Sequence, residues 1–241
     1  MIACTLGTWR NETPPFMTAR TKALISWSSG KDAAMALHEV RTRMPEVEVV
    51  GLLTTISSTF RRVSMHGVRE ELLQAQAAAL GLPCTTVEIP WPCTNEIYER
   101  EWCGALEQAR DERGVEQVVF GDIFLRDVRE YREAQLARTG LQGSFPLWQR
   151  ETSALAQQML EAGLRAVVTC LDPKVLPRSF AGRRFDAQWL AELPEGVDPC
   201  GENGEFHTLV TASPDFSEEL HVHVGEVVER DGFLFADVLP A

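Results

Sequence analysis

The stretch Ala23-Leu24-Ile25-Ser26-Trp27-Ser28-Ser29-Gly30-Lys31-Asp32-Ala33 decides how the chain is read. Ala23 to Trp27 is a short apolar run of the kind that forms a buried strand, and Ala33 to Arg43 sets Ala34, Leu37, His38 and Val40 near one face of a helix. A tight loop joins them. A helix start exposes unpaired N–H groups and about half a positive charge, so a loop that lets phosphate come close makes an anion site. Gly30 permits that approach, Ser28 and Ser29 add hydroxyl donors, and Lys31 supplies a mobile positive charge. Asp32 can hold a magnesium ion or fix the amides of the loop. The glycines are too few for a Walker A loop.

Outward from this loop the pattern alternates. Val47 to Thr54 reads as a second strand, and Glu70 to Leu80 as a helix closed by Gly81 with Pro83 beyond it. Thr85 to Ile89 is a third strand. Thr94 is placed to cap a long helix that runs to Arg113 and breaks at Gly114. Val118-Val119-Phe120 is a fourth strand, ending at Gly121-Asp122. Such β-α alternation predicts parallel strands joined by right-handed crossovers, an α/β doubly wound parallel sheet with ligands at the carboxyl ends of its strands. Ser28 to Asp32 and Gly121-Asp122 should therefore meet. Residues 1–20 read as an N-terminal extension, with Met17 a candidate start, and residues 21–140 as the phosphate-binding domain. Residues 141–241 read as a smaller C-terminal α+β lobe. It opens on a loop, Gln142 to Trp148, then a helix to Gly163 and a strand from Ala166 to Cys170. Short β segments follow at Phe206–Thr211, His221–Val228 and Phe233–Val238.

Composition narrows the function classes. The net charge of −12 opposes tight binding to nucleic acid, whose affinity rests on Lys and Arg. No run approaches the roughly 18 apolar residues of a membrane span. Cys4, Cys84, Cys93, Cys103, Cys170 and Cys200 are scattered without a C-x-x-C pair, so reduced thiols in the cytoplasm are expected rather than a zinc site.

A second constellation lies far downstream, at Asp198-Pro199-Cys200-Gly201-Glu202-Asn203-Gly204-Glu205-Phe206-His207-Thr208. Three carboxylates and an imidazole in a turn-rich segment are hard to explain as packing. Repulsion between Glu202 and Glu205 would be relieved by a cation or a substrate amine, and a solvated acidic turn is the plain alternative. His66, in the loop before the second helix, is a candidate phosphate or substrate contact. Arg61 and Arg62 beside it are secondary candidates, and Trp148 is a candidate pocket wall.

The run Ser28 to Ala33 resembles the S-G-G-K-D-S signature of the PP-loop ATP pyrophosphatases, with Ser29 replacing a glycine and Ala33 replacing the final serine. The pattern G-E-x-G-E-F-x-T at Gly201 to Thr208 is similar to the second signature of the diphthine ammonia ligase family. That likeness takes in Ser64-Met65-His66-Gly67-Val68, Gly121-Asp122-Ile123-Phe124 and Phe145-Pro146-Leu147-Trp148, and it looks closest to the bacterial branch. The resemblance implies a PP-loop domain of the HUP type, a smaller second lobe, and ATP-dependent amidation of a carboxylate with release of AMP and pyrophosphate. In eukaryotic and archaeal members the substrate is diphthine on elongation factor 2. Bacteria are expected to lack that residue, so the acceptor, on a small molecule or a protein side chain, stays unnamed.

On this reading Ser26, Ser28, Ser29, Gly30, Lys31, Asp32, His66, Gly121 and Asp122 bind ATP, and Asp32 and Asp122 hold Mg2+. Lys31 stabilises the departing pyrophosphate, Glu202 and Glu205 bind the acceptor or orient ammonia, and His207 helps to move protons. A homodimer is left open. The competing readings are a nucleotide-binding sensor, which has little need of Glu202 and Glu205, and a tRNA-modifying PP-loop enzyme, which calls for reactive cysteines and a basic surface.

Overall fold

A computed structural model of the chain describes residues 19–241. Nearly all of the expected extension over residues 1–20, Met17 included, lies outside the described residues. The first half builds β1 (Thr21–Ser26), α1 (Lys31–Arg43), β2 (Val47–Ser57), β3 (Arg62–Val63), α2 (Glu70–Leu80), β4 (Cys84–Ile89), α3 (Asn95–Arg113), β5 (Gln117–Val119), α4 (Arg126–Thr139) and β6 (Gln142–Ser144). Its parallel strands pair in the order β4-β2-β1-β5-β6, and β3 folds back antiparallel onto the end of β2. The direction of winding reverses between β1 and β5, which makes that gap the topological switch point of the sheet.

Local chemistry sets the punctuation. Gly81, Gly114 and Gly140 end α2, α3 and α4 in the left-handed conformation, and the Thr94 hydroxyl accepts the Ile97 N–H at 3.3 Å to start α3. Two elements differ from the sequence reading. The helix α4 is so polar on every side that no apolar stripe announces it, and of its side chains only Gln135, Leu136 and Thr139 are buried. The expected loop Gln142–Trp148 begins instead as β6, because the turn at Gly140 returns the chain beside β5, where Gln142 to Ser144 pair with Gln117 to Val119.

The second half builds α5 (Thr152–Glu161), β7 (Arg165–Leu171), a 3₁₀ turn at Arg178–Phe180, β8 (Arg184–Phe185), α6 (Ala187–Ala191), β9 (Phe206–Ala212), β10 (Val222–Arg230) and β11 (Phe233–Pro240). These strands form an antiparallel sheet in which β7 pairs with β9, β8 and β11, and β10 pairs with β11. One apolar core runs from α1 and α2 into this sheet, through Leu37, Leu73, Ala156, Met159, Phe206 and Leu209. A second core, with Leu24, Leu53, Val118, Trp102, Leu106 and Leu136, lies under α3 and α4 on the other face of the parallel sheet. The helices thus cover both faces, as a doubly wound sheet requires, and burial of each large apolar side chain contributes about 1.5–3 kcal/mol. Among the described residues no helix is long and apolar enough to cross a membrane.

Candidate nucleotide site

Gly30 caps α1 with φ −92° and ψ 170° and offers no side-chain hydrogen bond. Of the first-turn amides, that of Lys31 donates to the Thr208 hydroxyl at 3.1 Å, and those of Asp32 and Ala33 make no hydrogen bond to another of the described residues. Ser29, in the signature's glycine position, has φ +69°, so the loop demands the left-handed turn for which glycine is the usual residue. Its side chain is fully buried, and Oγ has no partner among the described residues. An orphaned hydroxyl beside a helix start that is only partly capped fits a phosphate oxygen. The Ser28 hydroxyl accepts the Gly30 N–H at 3.4 Å, and Ser26 ends β1 directly before the loop.

Gly121 follows β5 at the switch point, where a Cβ would lie 2.7 Å from the Asp32 carbonyl carbon and 2.9 Å from the Ala33 nitrogen. Only glycine lets the end of β5 press against the first turn of α1. Ser28 to Asp32 and Gly121-Asp122 therefore do meet. Asp122, however, turns to α4, its carboxylate 2.8 Å from Arg132 Nε.

Lys31 is not the mobile charge that its place in the loop suggests. The side chain is 1% exposed, with Nζ 2.9 Å from the Asp32 carboxylate, bonded to the Cys200 carbonyl, and 5.0 Å from the centre of the Phe206 ring. Burial works against the ammonium, but Asp32, and after it Cys200 and Asp198, outweigh burial and raise the Lys31 pKa. Burial raises the Asp32 pKa, with Lys31 opposing. The two carboxylates expected to hold Mg2+ are ion-paired within the protein, Asp32 with Lys31 and Asp122 with Arg132. Among the described residues no cluster of three His, Cys, Asp or Glu side chains could cage a metal.

The downstream constellation also differs from its reading. Glu205 is buried and spent within its own turn: its oxygens accept the Asp198 N–H at 3.1 Å, the Asn203 N–H at 2.9 Å and the Asn203 side-chain amide at 2.9 Å. Glu202 reaches across to the first lobe, where one oxygen accepts the N–H groups of Ile123 at 2.7 Å and Phe124 at 3.1 Å. Burial raises the Glu202 pKa, those two amides oppose it, and Asp32 and Asp122 add to the rise. The segment clasps the loop: Glu202 holds the end of β5, the Cys200 carbonyl holds Lys31, and Thr208 caps α1.

His66 and His207 come together over the loop, their ring centres 4.6 Å apart. A Cβ on Gly30 would lie 2.6 Å from His66 Cε1, so this glycine also makes room for the imidazole. His66 Nδ1 is 3.0 Å from the Thr208 carbonyl, which can only accept, so Nδ1 carries the proton and Nε2 the lone pair. Burial lowers the His66 pKa to about 4, and burial, with His66 and Lys31 nearby, holds His207 well below the ordinary value. Both rings are neutral at pH 7.

The secondary candidates are engaged elsewhere. Arg61 pairs with Glu70 and Glu88, and Arg62 with Asp237. Trp148 packs edge-on to Phe145 with the Arg129 guanidinium 4.7 Å from its ring centre. Sequence reasoning missed Thr208 as a cap and the fully buried Gln76. The second left a signal, since Gln76 lies among the apolar residues of the buried face of α2.

A doubly wound sheet with a phosphate loop of this type at its switch point, clasped by a second lobe, is the architecture of the PP-loop class. Two family models match, the diphthamide synthase N-terminal domain over residues 20–143 and the diphthamide synthase C-terminal domain over residues 151–235. The chain belongs to the diphthamide synthase family. It is similar to the diphthine–ammonia ligase of Bos taurus, at 28% identity over 91% of this chain and 88% of the bovine one. The protein of that name from Homo sapiens matches at the same identity and coverage. The Danio rerio protein matches at 34% over 55% of this chain and 54% of its own.

Proposed function

We propose that this enzyme forms an amide from a carboxylate and ammonia through an acyl-adenylate. A carboxylate oxygen attacks the α-phosphorus of ATP and pyrophosphate leaves. Ammonia then attacks the acyl carbon, AMP leaves, and the nitrogen gives up a proton. The observation that carries the reading is the start of α1, where only the Lys31 amide is capped, beside the buried Ser29 hydroxyl, unpartnered among the described residues, at the switch point.

The amides of Asp32 and Ala33, with Ser28, Ser29 and Gly30, would take the charge that builds on the departing pyrophosphate, which is electrostatic stabilisation by preorganised donors. Ser26 and Gly121 would let the nucleoside approach the strand ends. The neutral His66–His207 pair would offer a lone pair to the nitrogen donor without adding positive charge. Lys31 and Glu205 would act through the shape of the site, since their polar atoms are already bonded within the protein, and Glu202 would do so through the one oxygen that holds the Ile123 and Phe124 amides. Magnesium would arrive with ATP and shield its phosphates, with Asp32 the carboxylate nearest the loop. Asp122 would face Arg132.

The relatives' name, diphthine–ammonia ligase, supports ammonia as the nitrogen source. Incubation with ATP, ¹⁵N-ammonium and candidate acceptors, read by mass spectrometry, tests this. AMP, pyrophosphate and a labelled amide that appear only with an acceptor support ligation. Tight ATP binding without turnover under any acceptor points to the sensor.

A further inference from the structure

Gln76, on α2, is fully buried, and its amide is used at both ends. Oε1 accepts the indole N–H of Trp27 at 2.9 Å, and Nε2 donates to the Ser29 carbonyl at 3.1 Å and to the Val210 carbonyl at 2.7 Å. An indole can only donate and a carbonyl can only accept, so the neighbours fix which way the amide faces. The Ser29 carbonyl also accepts the N–H of Val210 at 2.9 Å. One side chain thus ties together the residue entering the phosphate loop, the residue at its left-handed turn, and strand β9 of the second sheet.

Packing does not account for an amide here. A buried polar group costs free energy unless every partner is in place, and on the inner face of α2, among Leu72, Leu73, Ala77 and Leu80, an apolar side chain would serve packing alone. The three partners converge instead on the Ser29 turn, where a residue with a Cβ is held at positive φ. We infer that Gln76 is the positioning residue for the nucleotide. It holds the Ser29 turn and so aims the Ser29 hydroxyl and the start of α1 at the phosphates. Through Val210 it also makes that aim depend on the second lobe. Gln76 does not touch the nucleotide, and the inference rests on the loop being the phosphate site.

Two variants test it in the full chain. Gln76→Glu keeps the shape and an acceptor for Trp27 but presents an oxygen to two carbonyls, and Gln76→Leu removes all three hydrogen bonds. Hydrogen–deuterium exchange is read without ligand, and ATP affinity by titration calorimetry. In both variants exchange across residues 27–34 rises while that of α3 and α4 stays at the wild-type level. ATP binds roughly 10- to 100-fold more weakly, the range expected when buried hydrogen bonds are left unpaired. Unchanged exchange across the loop, a uniform rise over the whole chain, or wild-type affinity in Gln76→Glu would overturn the inference. If the wild-type chain itself binds no ATP, the reading of the loop fails, and the exchange data alone decide whether Gln76 holds the turn.

Discussion

The loop Ser28 to Asp32 and the turn Asp198 to Thr208 sit against each other, yet the backbone of one follows from the sequence and the side-chain partners of the other do not. The loop acts through backbone amides, a glycine and the end of a helix, whose placement follows from local order along the chain. The downstream turn acts through side chains whose partners are set by folding across more than 70 residues, as with Glu202 on the Ile123 and Phe124 amides. Two glutamates three positions apart look like a substrate site in the sequence. In the folded chain one holds its own turn and the other holds the neighbouring lobe. A cluster of carboxylates thus points to a place that matters without saying what each carboxylate does there.

The largest test of this contrast is at the contact between β5 and α1. Gly121→Ala puts a methyl within 3 Å of the Asp32 and Ala33 backbone and displaces the first turn of α1. Overpacking of this kind costs about 1–3 kcal/mol, so ATP affinity measured by calorimetry should fall by up to roughly 100-fold. Wild-type affinity would mean that the helix start is not the nucleotide contact.

A smaller effect separates a clasp from a catalytic carboxylate. Glu202→Ala leaves the Ile123 and Phe124 amides without their acceptor and should cost about 1–3 kcal/mol in thermal unfolding. Glu202→Gln keeps a carbonyl oxygen for both amides and should stay near wild type in both stability and turnover. If Glu202→Gln melts like wild type but turns over 100-fold more slowly, roughly the loss expected of a general acid or base, the carboxylate is chemical and the contrast collapses.

A further test is in acid. The His66 pKa of about 4 lies below the ordinary 6.5, so between those values the unfolded chain binds the proton and the folded one does not. The stability this histidine contributes is complete above pH 6.5 and is lost as the pH falls towards 4. The raised Asp32 and Glu202 carboxyls act in the opposite sense, so the comparison must be with His66→Asn. Wild-type melting temperature should drop relative to that variant between pH 6.5 and 4, and stay parallel to it from pH 7 to 9. Parallel curves throughout would show that the imidazole is not held neutral.

The sequence made the parallel sheet, the loop and the position of Gly121 legible because each depends on residues close together in the chain. It hid α4, which has no apolar stripe, and β6, a three-residue strand recognised only by its pairing. At the site it singled out Ser28 to Asp32 and the two histidines, which the fold brings close together. It misread Lys31, since a lysine at a helix start looks free until Asp32, Cys200 and Phe206 are seen to enclose it. Gln76 and Thr208 needed the second lobe in place before their partners could be known.

The central claim is that the start of α1 holds the pyrophosphate half of ATP. Amide NMR of the ¹⁵N-labelled chain, titrated with pyrophosphate, tests it most directly. Saturable shifts are expected at Gly30, Asp32 and Ala33 that are the largest in the chain, with smaller ones at Thr208 and His66. Largest shifts outside the loop, or none there at saturation, would contradict it.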